Sequence, residues 1–192
     1  MKARLLVISA VLLCAFLFVS CKDDPIRLSP PGDNESVWPD LTQKEDIFEY
    51  LELVYEKKDI DHYPKLLDDG FIFFFSQADY NDGITPEQWG RTEELASARN
   101  MFTGYANQKF GVITSIELEI FPEGEWIEVP KTKPPYEGET WYQRIAEYRI
   151  IMETTSAYTL QGTEKKALFT VRLAEVDGEE IYRIVQWNDD IE

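Results

Sequence analysis

One stretch constrains the fold of this chain more than any other: Glu45–Ser76, EDIFEYLELVYEKKDIDHYPKLLDDGFIFFFS. Ile47, Leu51, Val54 and Tyr55 recur at helical spacing with Phe48 alongside, so one stripe faces a core. Thr42 and Glu45 have the spacing of a capping box ahead of that helix. Lys57 and Lys58 fall where a helix C-terminus favours cations. Asp61 is placed to cap a second, short helix, which tolerates Pro64 only in its first turn. Leu66 and Leu67 pack that helix. Gly70 ends it before Phe71-Ile72-Phe73-Phe74-Phe75, a strand that is apolar on both faces.

Downstream, Asn81-Asp82-Gly83 reads as a turn. Thr85, with Pro86 at the first helical position and Gln88 at the third, predicts a helix to about Tyr105. Its inward residues are Trp89, Leu95 or Ala96, Met101, Phe102 and Tyr105. The period then changes to two: Ile116, Leu118 and Ile120 alternate with Ser115, Glu117 and Glu119, a half-buried antiparallel strand. Pro122–Glu139 reads as a loop, with Trp126-Ile127 as a short strand inside it. Three long strands follow, Trp141–Thr155, Ala167–Val176 and Ile181–Trp187, the last two joined at Asp177-Gly178 by a tight hairpin. Helices first and strands afterwards predict an α+β domain.

The N-terminus has a different composition. Lys2 and Arg4 precede an uncharged run from Leu5 to Val19, the pattern of a secretory signal. As a helix rising about 1.5 Å per residue it spans roughly 22 Å, short of the roughly 30 Å hydrocarbon core of a bilayer. Phe18-Val19-Ser20-Cys21 resembles the bacterial lipobox, with Phe18 where Leu is usual. That resemblance implies cleavage before Cys21 and two or three acyl chains on the residue, whereas one chain alone binds only marginally. Cys14, the other cysteine, leaves with the signal, so no internal disulfide is expected. Lys22-Asp23-Asp24 resembles the surface-export signal of some outer-membrane lipoproteins, or serves as a solvated tether. The expected organisation is a signal at 1–20, lipidated Cys21 and a Pro-rich tether at 21–41, and one domain at 42–192. The expected location is the outer membrane of a diderm bacterium, periplasmic or surface-exposed.

With 36 acidic against 19 basic residues the net charge is −17, and it becomes −19 once Lys2 and Arg4 are removed. Such a chain repels phosphate backbones, so nucleic acid is excluded as a partner. Metal and cofactor signals are poor as well. Asp79–Gly83 places its glycine fifth where a calcium loop needs it sixth, and no Cys/His spacing suits zinc. Neither a phosphate-binding Gly-rich loop nor a nucleophile elbow occurs. No cofactor is expected.

Three pieces together resemble the NTF2-like (SnoaL-like) superfamily. They are Asp59-Ile60-Asp61 leading to Tyr63 and Leu66-Leu67, the aromatic strand Phe71–Phe75, and the closing hairpin that ends Tyr182-Arg183-Ile184-Val185-Gln186-Trp187-Asn188-Asp189. The resemblance implies a cone: N-terminal helices packed on a curved, mostly antiparallel sheet, often enclosing a small-molecule pocket. Enzymes of this superfamily use pocket carboxylates with Tyr, His or Arg. The one histidine, His62, sits in a polar turn and reads as solvated.

On the last strand Ile181, Arg183, Val185 and Trp187 share a face by simple alternation. On the first long strand Tyr142, Arg144, Ala146, Tyr148, Ile150 and Met152 share another. If these faces line the cone, Arg183, Arg144, Tyr148 and Trp187 are its polar handles, with Phe75 and Trp89 among the apolar walls. Alternatively both arginines pair with acids on the sheet's outer side. Three readings of function follow. The first is a lipid-anchored envelope protein that binds a small apolar ligand or a protein without catalysis. The second is an isomerase- or dehydratase-type enzyme using an Asp/Tyr pair in the cone. The third is an interaction module that forms a homodimer through the outer face of its sheet.

Overall fold

The computed structural model describes residues 38–83, 85–104, 111–132, 138–156, 158–189 and 191. The signal, Cys21, most of the tether and Tyr105 lie outside the described residues. The elements are α1 (Ile47–Lys57), α2 (Tyr63–Leu66), β1 (Leu67–Phe74), α3 (Gln77–Asn81), β2 (Gln88–Gly90), α4 (Arg91–Phe102), β3 (Ile113–Glu128), β4 (Trp141–Thr154), β5 (Thr159–Val176) and β6 (Glu179–Asp189). They form one six-stranded sheet in the order β2-β1-β6-β5-β4-β3. The β1–β6 pairing is parallel and the other four are antiparallel, so the sheet is mixed.

Helix α1 buries Ile47, Phe48, Leu51, Val54 and Tyr55, the stripe its periodicity predicts, and Tyr50 besides. Its start differs from the expected capping box. The Thr42 N–H donates to Asp40 Oδ1 at 2.9 Å, a 3-10 turn spans Lys44–Asp46, and the helix begins only at Ile47. Its end is set by Lys58 in the left-handed region (φ 52). Asp59, and not Asp61, then caps the next turn: its Oδ1 accepts the N–H groups of Asp61 and His62, each at 2.9 Å. Trp38, where the tether is expected to begin touching the domain, packs on it, and so does Leu41. The indole of Trp38 stacks on His62 at 3.9 Å, and the Tyr182 N–H donates to the Leu41 carbonyl at 2.7 Å.

The predicted helix over 86–105 is shorter, because Gln88–Gly90 pairs as a strand with Ile72–Phe74. Helix α4 starts at Arg91, where the Glu93 carboxylate accepts the Gly90 N–H at 3.1 Å. The expected loop after Pro122 is also corrected, since β3 runs on to Glu128. It is an edge strand, the place in a sheet where proline is tolerated, and it kinks at Gly124 (φ 59). Helix α1 covers part of this edge: the Ile120 N–H donates to Glu52 Oε1 at 2.5 Å, and Lys58 Nζ donates to the Thr114 carbonyl at 3.0 Å. An edge so covered is a poor template for further pairing.

One irregularity decides what the sheet presents on each side. Thr170 pairs with Gln186 but Val171 pairs with Ile184, so Val185 is an extra residue in β6. Such a bulge reverses the alternation. Beyond it Trp187 joins Phe169 and Phe73 in the main core, while before it Ile184 does so with Val171. Arg183 consequently lies opposite Arg172, on the other face. Val185 itself joins Val129 and Trp141 in a small separate cluster.

Phe73 has no exposed surface and touches the rings of Phe75, Trp89 and Trp187. Phe73→Ala is expected to cost about 3–5 kcal/mol, the range for truncating a fully buried Phe. Denaturant titration measures it, and a loss under about 1 kcal/mol would show that the ring is not enclosed.

Candidate functional site

The helix-facing side of the sheet is an aromatic wall. Trp187, wholly buried, has ring centroids of Phe169 at 4.7 Å, Phe73 at 5.5 Å and Tyr148 at 5.8 Å. Phe48 of α1 bridges onward to Phe169 at 5.0 Å and Trp126 at 5.4 Å. Into this wall the fold inserts two acids. The Tyr148 hydroxyl donates to Asp189 Oδ1, at the end of the wall where β6 finishes. The Tyr63 hydroxyl donates to Glu94 Oε1 at 2.5 Å, and the Trp89 indole N–H donates to Glu94 Oε2 at 3.1 Å.

Glu94 is fully buried. Burial pushes its carboxyl up to about 7, against the two hydrogen bonds, which pull it down. Burial, then the charge of Glu94, raises the Tyr63 and Tyr55 hydroxyls well above the ordinary phenol range. Tyr55 lies edge-on to Tyr63 at 5.7 Å, and its hydroxyl has no hydrogen-bond partner of good geometry among the described residues. Two aromatic donors thus hold a carboxyl that is partly protonated near neutral pH.

The residues singled out in the sequence separate into two places. Arg144, Tyr148 and Trp187 are on the helix-facing side. Arg144 lies over the rings of Phe48 (6.0 Å) and Trp126 (5.9 Å), a cation–π arrangement. Its Nε, like the indole nitrogens of Trp126 and Trp187, is buried without an acceptor among the described residues. Phe75 and Trp89 pack ring to ring at 4.7 Å on the same side.

Arg183 is elsewhere, and the Val185 bulge is the reason. Its Nη2 donates to the carbonyls of Leu67 and Pro64 and, at 3.2 Å, to Asp69 Oδ1. It is therefore not a handle of the cone, and of the two arginines only this one takes the outer-face alternative. Sequence reasoning gave no role to Tyr63 or Asp189, and it placed Glu94, with Trp89, Gly90 and Arg91, either at the mouth of the cone or on an ordinary amphipathic helix, without its buried hydrogen bonds. A signal existed for Glu94: it falls on the stripe of Ala98, Met101 and Phe102 at helical spacing, an acid where an apolar residue is called for.

Among the described residues no group of three or more His, Cys, Asp and Glu is arranged to hold a metal ion. No helix there is long and apolar enough to cross a membrane. The surface carries a groove of about 400 Å³ between β1, β2 and the start of α4, lined by Ile72, Pro86, Gln88, Trp89, Gly90 and Glu93. Another, of about 510 Å³, runs between α1 and β3 and is walled by Glu52, Glu56, Glu117 and Glu119.

Solved structures with this arrangement exist. A conserved protein of Planctomyces limnophilus aligns at 14% identity over 75% of this chain and 89% of its own, with a TM-score of 0.52. A Novosphingobium aromaticivorans protein described as a candidate aromatic ring hydroxylase aligns at 15% identity over 79% and 88%, with a TM-score of 0.51. The domain has the NTF2-like fold. An NTF2-like superfamily protein of Salmonella enterica aligns at 10% identity over 76% and 88%, with a TM-score of 0.48. No protein-family model matches the sequence, and no curated protein matches it. At these identities the likeness extends to the NTF2-like fold alone.

The buried carboxyl makes stability depend on pH. Its folded pKa, about 7, lies above the ordinary 4.5, so the neutral form is favoured on folding. This contribution is complete below pH 4.5 and is lost as pH rises through about 7. At about 1.4 kcal/mol per pH unit it amounts to ~3 kcal/mol. Glu94→Gln is expected to flatten this fall in chemical denaturation between pH 5 and pH 8, and parallel wild-type and variant profiles would contradict it.

Proposed function

We propose that the chain is a bacterial lipoprotein, exported by residues 1–20 and acylated on Cys21, whose NTF2-like domain works by binding and not by turnover. The observation that supports binding is the state of the interior acids. Glu94 and Asp189 point into packed aromatic side chains and are hydrogen-bonded to Tyr63, Trp89 and Tyr148. A general acid or base must reach the proton it moves, directly or through one water. Here the neighbouring tyrosines and indole occupy that reach. The anchored domain keeps its acidic surface solvated and offers its outer grooves to a ligand or a partner, a second copy of the chain included.

A second reading draws on Glu94. A buried carboxyl with a pKa pushed to about 7, bonded to a tyrosine, has the poise of a proton-transfer pair. Trp89 stands between that pair and the groove at Pro86–Gly90, so rotation of its indole would open a path.

One experiment tests the anchor and a second separates binding from turnover. With labelled fatty acid in a lipoprotein-processing host, the wild type is expected to incorporate label and partition into detergent, and Cys21→Ser to do neither; label retained by Cys21→Ser would refute the anchor. Incubating the protein with apolar ketones and carboxylic acids, followed by NMR, is expected to return them unchanged. Product formation that is abolished by Glu94→Gln would establish the enzymatic reading instead.

A further inference from the structure

The outer face gathers three arginines at one corner, matched in number by Asp68, Asp69 and Glu139 but unevenly in contact. Arg91, Arg172 and Arg183 converge on the corner where α2 passes into β1. Arg172 and Arg183 are directly opposite one another on β5 and β6. Arg172 is occupied: its Nε and Nη2 hold Asp68 at 2.9 and 3.1 Å, and its Nη1 holds Glu139 at 2.7 Å. Arg91 and Arg183 instead share the same two carbonyl oxygens. Arg91 Nη2 reaches Pro64 at 2.9 Å and its Nε reaches Leu67 at 3.3 Å, while Arg183 Nη2 donates to both as well.

Two guanidiniums side by side on neutral carbonyls need an anion. The anion both of them contact is Asp69, whose Oδ1 lies 3.2 Å from Arg183 and 3.9 Å from Arg91, while buried Asp68, held by Arg172, acts on Arg183 through its charge without a hydrogen bond. Its side chain is 85% exposed, whereas that of Arg183 is 8% exposed. The register irregularity in β1 between Leu67 and Ile72 carries Asp69 out to this position. The carboxylate that hydrogen-bonds this nearly buried cation therefore stands almost wholly in water, and the buried one nearby, Asp68, is already committed to Arg172. The Arg183 Nε is buried as well and has no partner among the described residues. An exposed ion pair contributes little, so replacing Asp69 with another carboxylate costs little.

The surroundings indicate what would replace it. The groove of about 400 Å³ ends at Gly90, the residue before Arg91, and Ile72 pairs with Gly90 along its floor. Ile72, Pro86 and Trp89 give it apolar walls, and Gln88 and Glu93 complete the lining, the Glu93 carboxylate accepting the Gly90 N–H at 3.1 Å; the guanidiniums of Arg91 and Arg183 lie beyond its end and not in its walls. The net charge of −17 repels polyanions, which selects a single compact charge over a polyphosphate or an anionic surface. We propose that this corner is a binding site for a carboxylate carried on a short apolar body, with Asp69 as the built-in occupant that such a ligand displaces. The carboxylate sits between Arg91 and Arg183, where a planar guanidinium suits both oxygens. The body lies in the groove beside Gly90. This site deepens the binding function proposed above and rests on it.

The shared chemistry fits either a free small acid or the C-terminal carboxylate of an apolar peptide. The test is titration of the full-length chain, at fixed ionic strength, with hexanoate, hexanamide, N-acetyl-Leu-Leu as free acid and as amide, and inorganic phosphate. The acids are expected to bind, and the amides and phosphate more weakly; the tighter acid identifies the source. Asp69→Asn, at an exposed position, is expected to tighten the acid by about fivefold by removing its competitor. Arg91→Gln is expected to weaken it by at least about tenfold, the effect of losing a charged hydrogen bond. The site is overturned if Asp69→Asn leaves the Kd unchanged, if Arg91→Gln binds like wild type while melting normally, or if amides match acids. Turnover of a bound acid that persists in Arg91→Gln would instead overturn the binding-only function and leave this site in place.

Discussion

A single inserted residue, Val185, decides which chemistry this sheet turns inward. Without it, Arg183 would share a face with Trp187 and enter an aromatic core as an ion. An unpaired ion there is costly, and a buried pair needs near-complete hydrogen bonding to break even. The bulge sends the guanidinium to the outer corner, where two carbonyls and Asp69 receive it, and leaves Trp187 inside against Phe73, Phe169 and Tyr148. The irregularity of β1 at Asp68–Phe71 lies beside it on the neighbouring strand. Together they build an arginine-rich outer corner and an aromatic interior from two adjacent strands.

The interior then accommodates its two acids, Glu94 and Asp189, by pairing them with aromatic donors. Glu94 is held by a phenol and an indole, and Asp189 by a phenol. Burial raises the Glu94 carboxyl enough for it to be partly neutral under ordinary conditions, which lowers the cost of keeping it there. Asp68, at the outer corner, runs the other way. Burial would raise it, but Arg172 and the Gly70 N–H hold it below the usual carboxylate range. The corner therefore needs its acid ionised and loses stability as pH falls, whereas the interior prefers its acid neutral and loses stability as pH rises.

Much of this fold was legible in the sequence, for identifiable reasons. The stripe of α1, the aromatic β1, the long strand β4 and the second part of β5 follow from period and residue type, whereas β5 begins at Thr159 and not at the expected Ala167. Asp177 (φ 53) and Gly178 (φ 86) adopt the left-handed conformations a two-residue hairpin requires. The misreadings have physical causes too. Pro122 looks like the end of a strand, yet β3 is at the sheet edge, where its missing N–H is tolerated. Pro86 and Gln88 look like a helix start, but Trp89 gains more by pairing beside Phe73 and reaching Glu94. The Val185 bulge leaves no mark at all, because alternation in sequence continues undisturbed through Arg183, Val185 and Trp187. Alternation thus grouped Arg144 with Tyr148 on β4 while leaving open which side of the sheet they face, whereas it grouped Arg183 with Trp187 on β6 and the bulge separates them.

The central claim is that the helix-facing side is a packed, dry core and that the chemistry available to partners lies on the outer face. The Trp187 indole N–H tests it most directly, since it is buried with no acceptor among the described residues. Its hydrogen exchange with solvent, followed by NMR on indole-labelled protein, reports whether water enters the cone. Exchange as slow as that of the most protected core amides, which open only with global unfolding, is the result this account predicts. Exchange as fast as that of an exposed indole would mean a water-filled cavity around Trp187 and would contradict it.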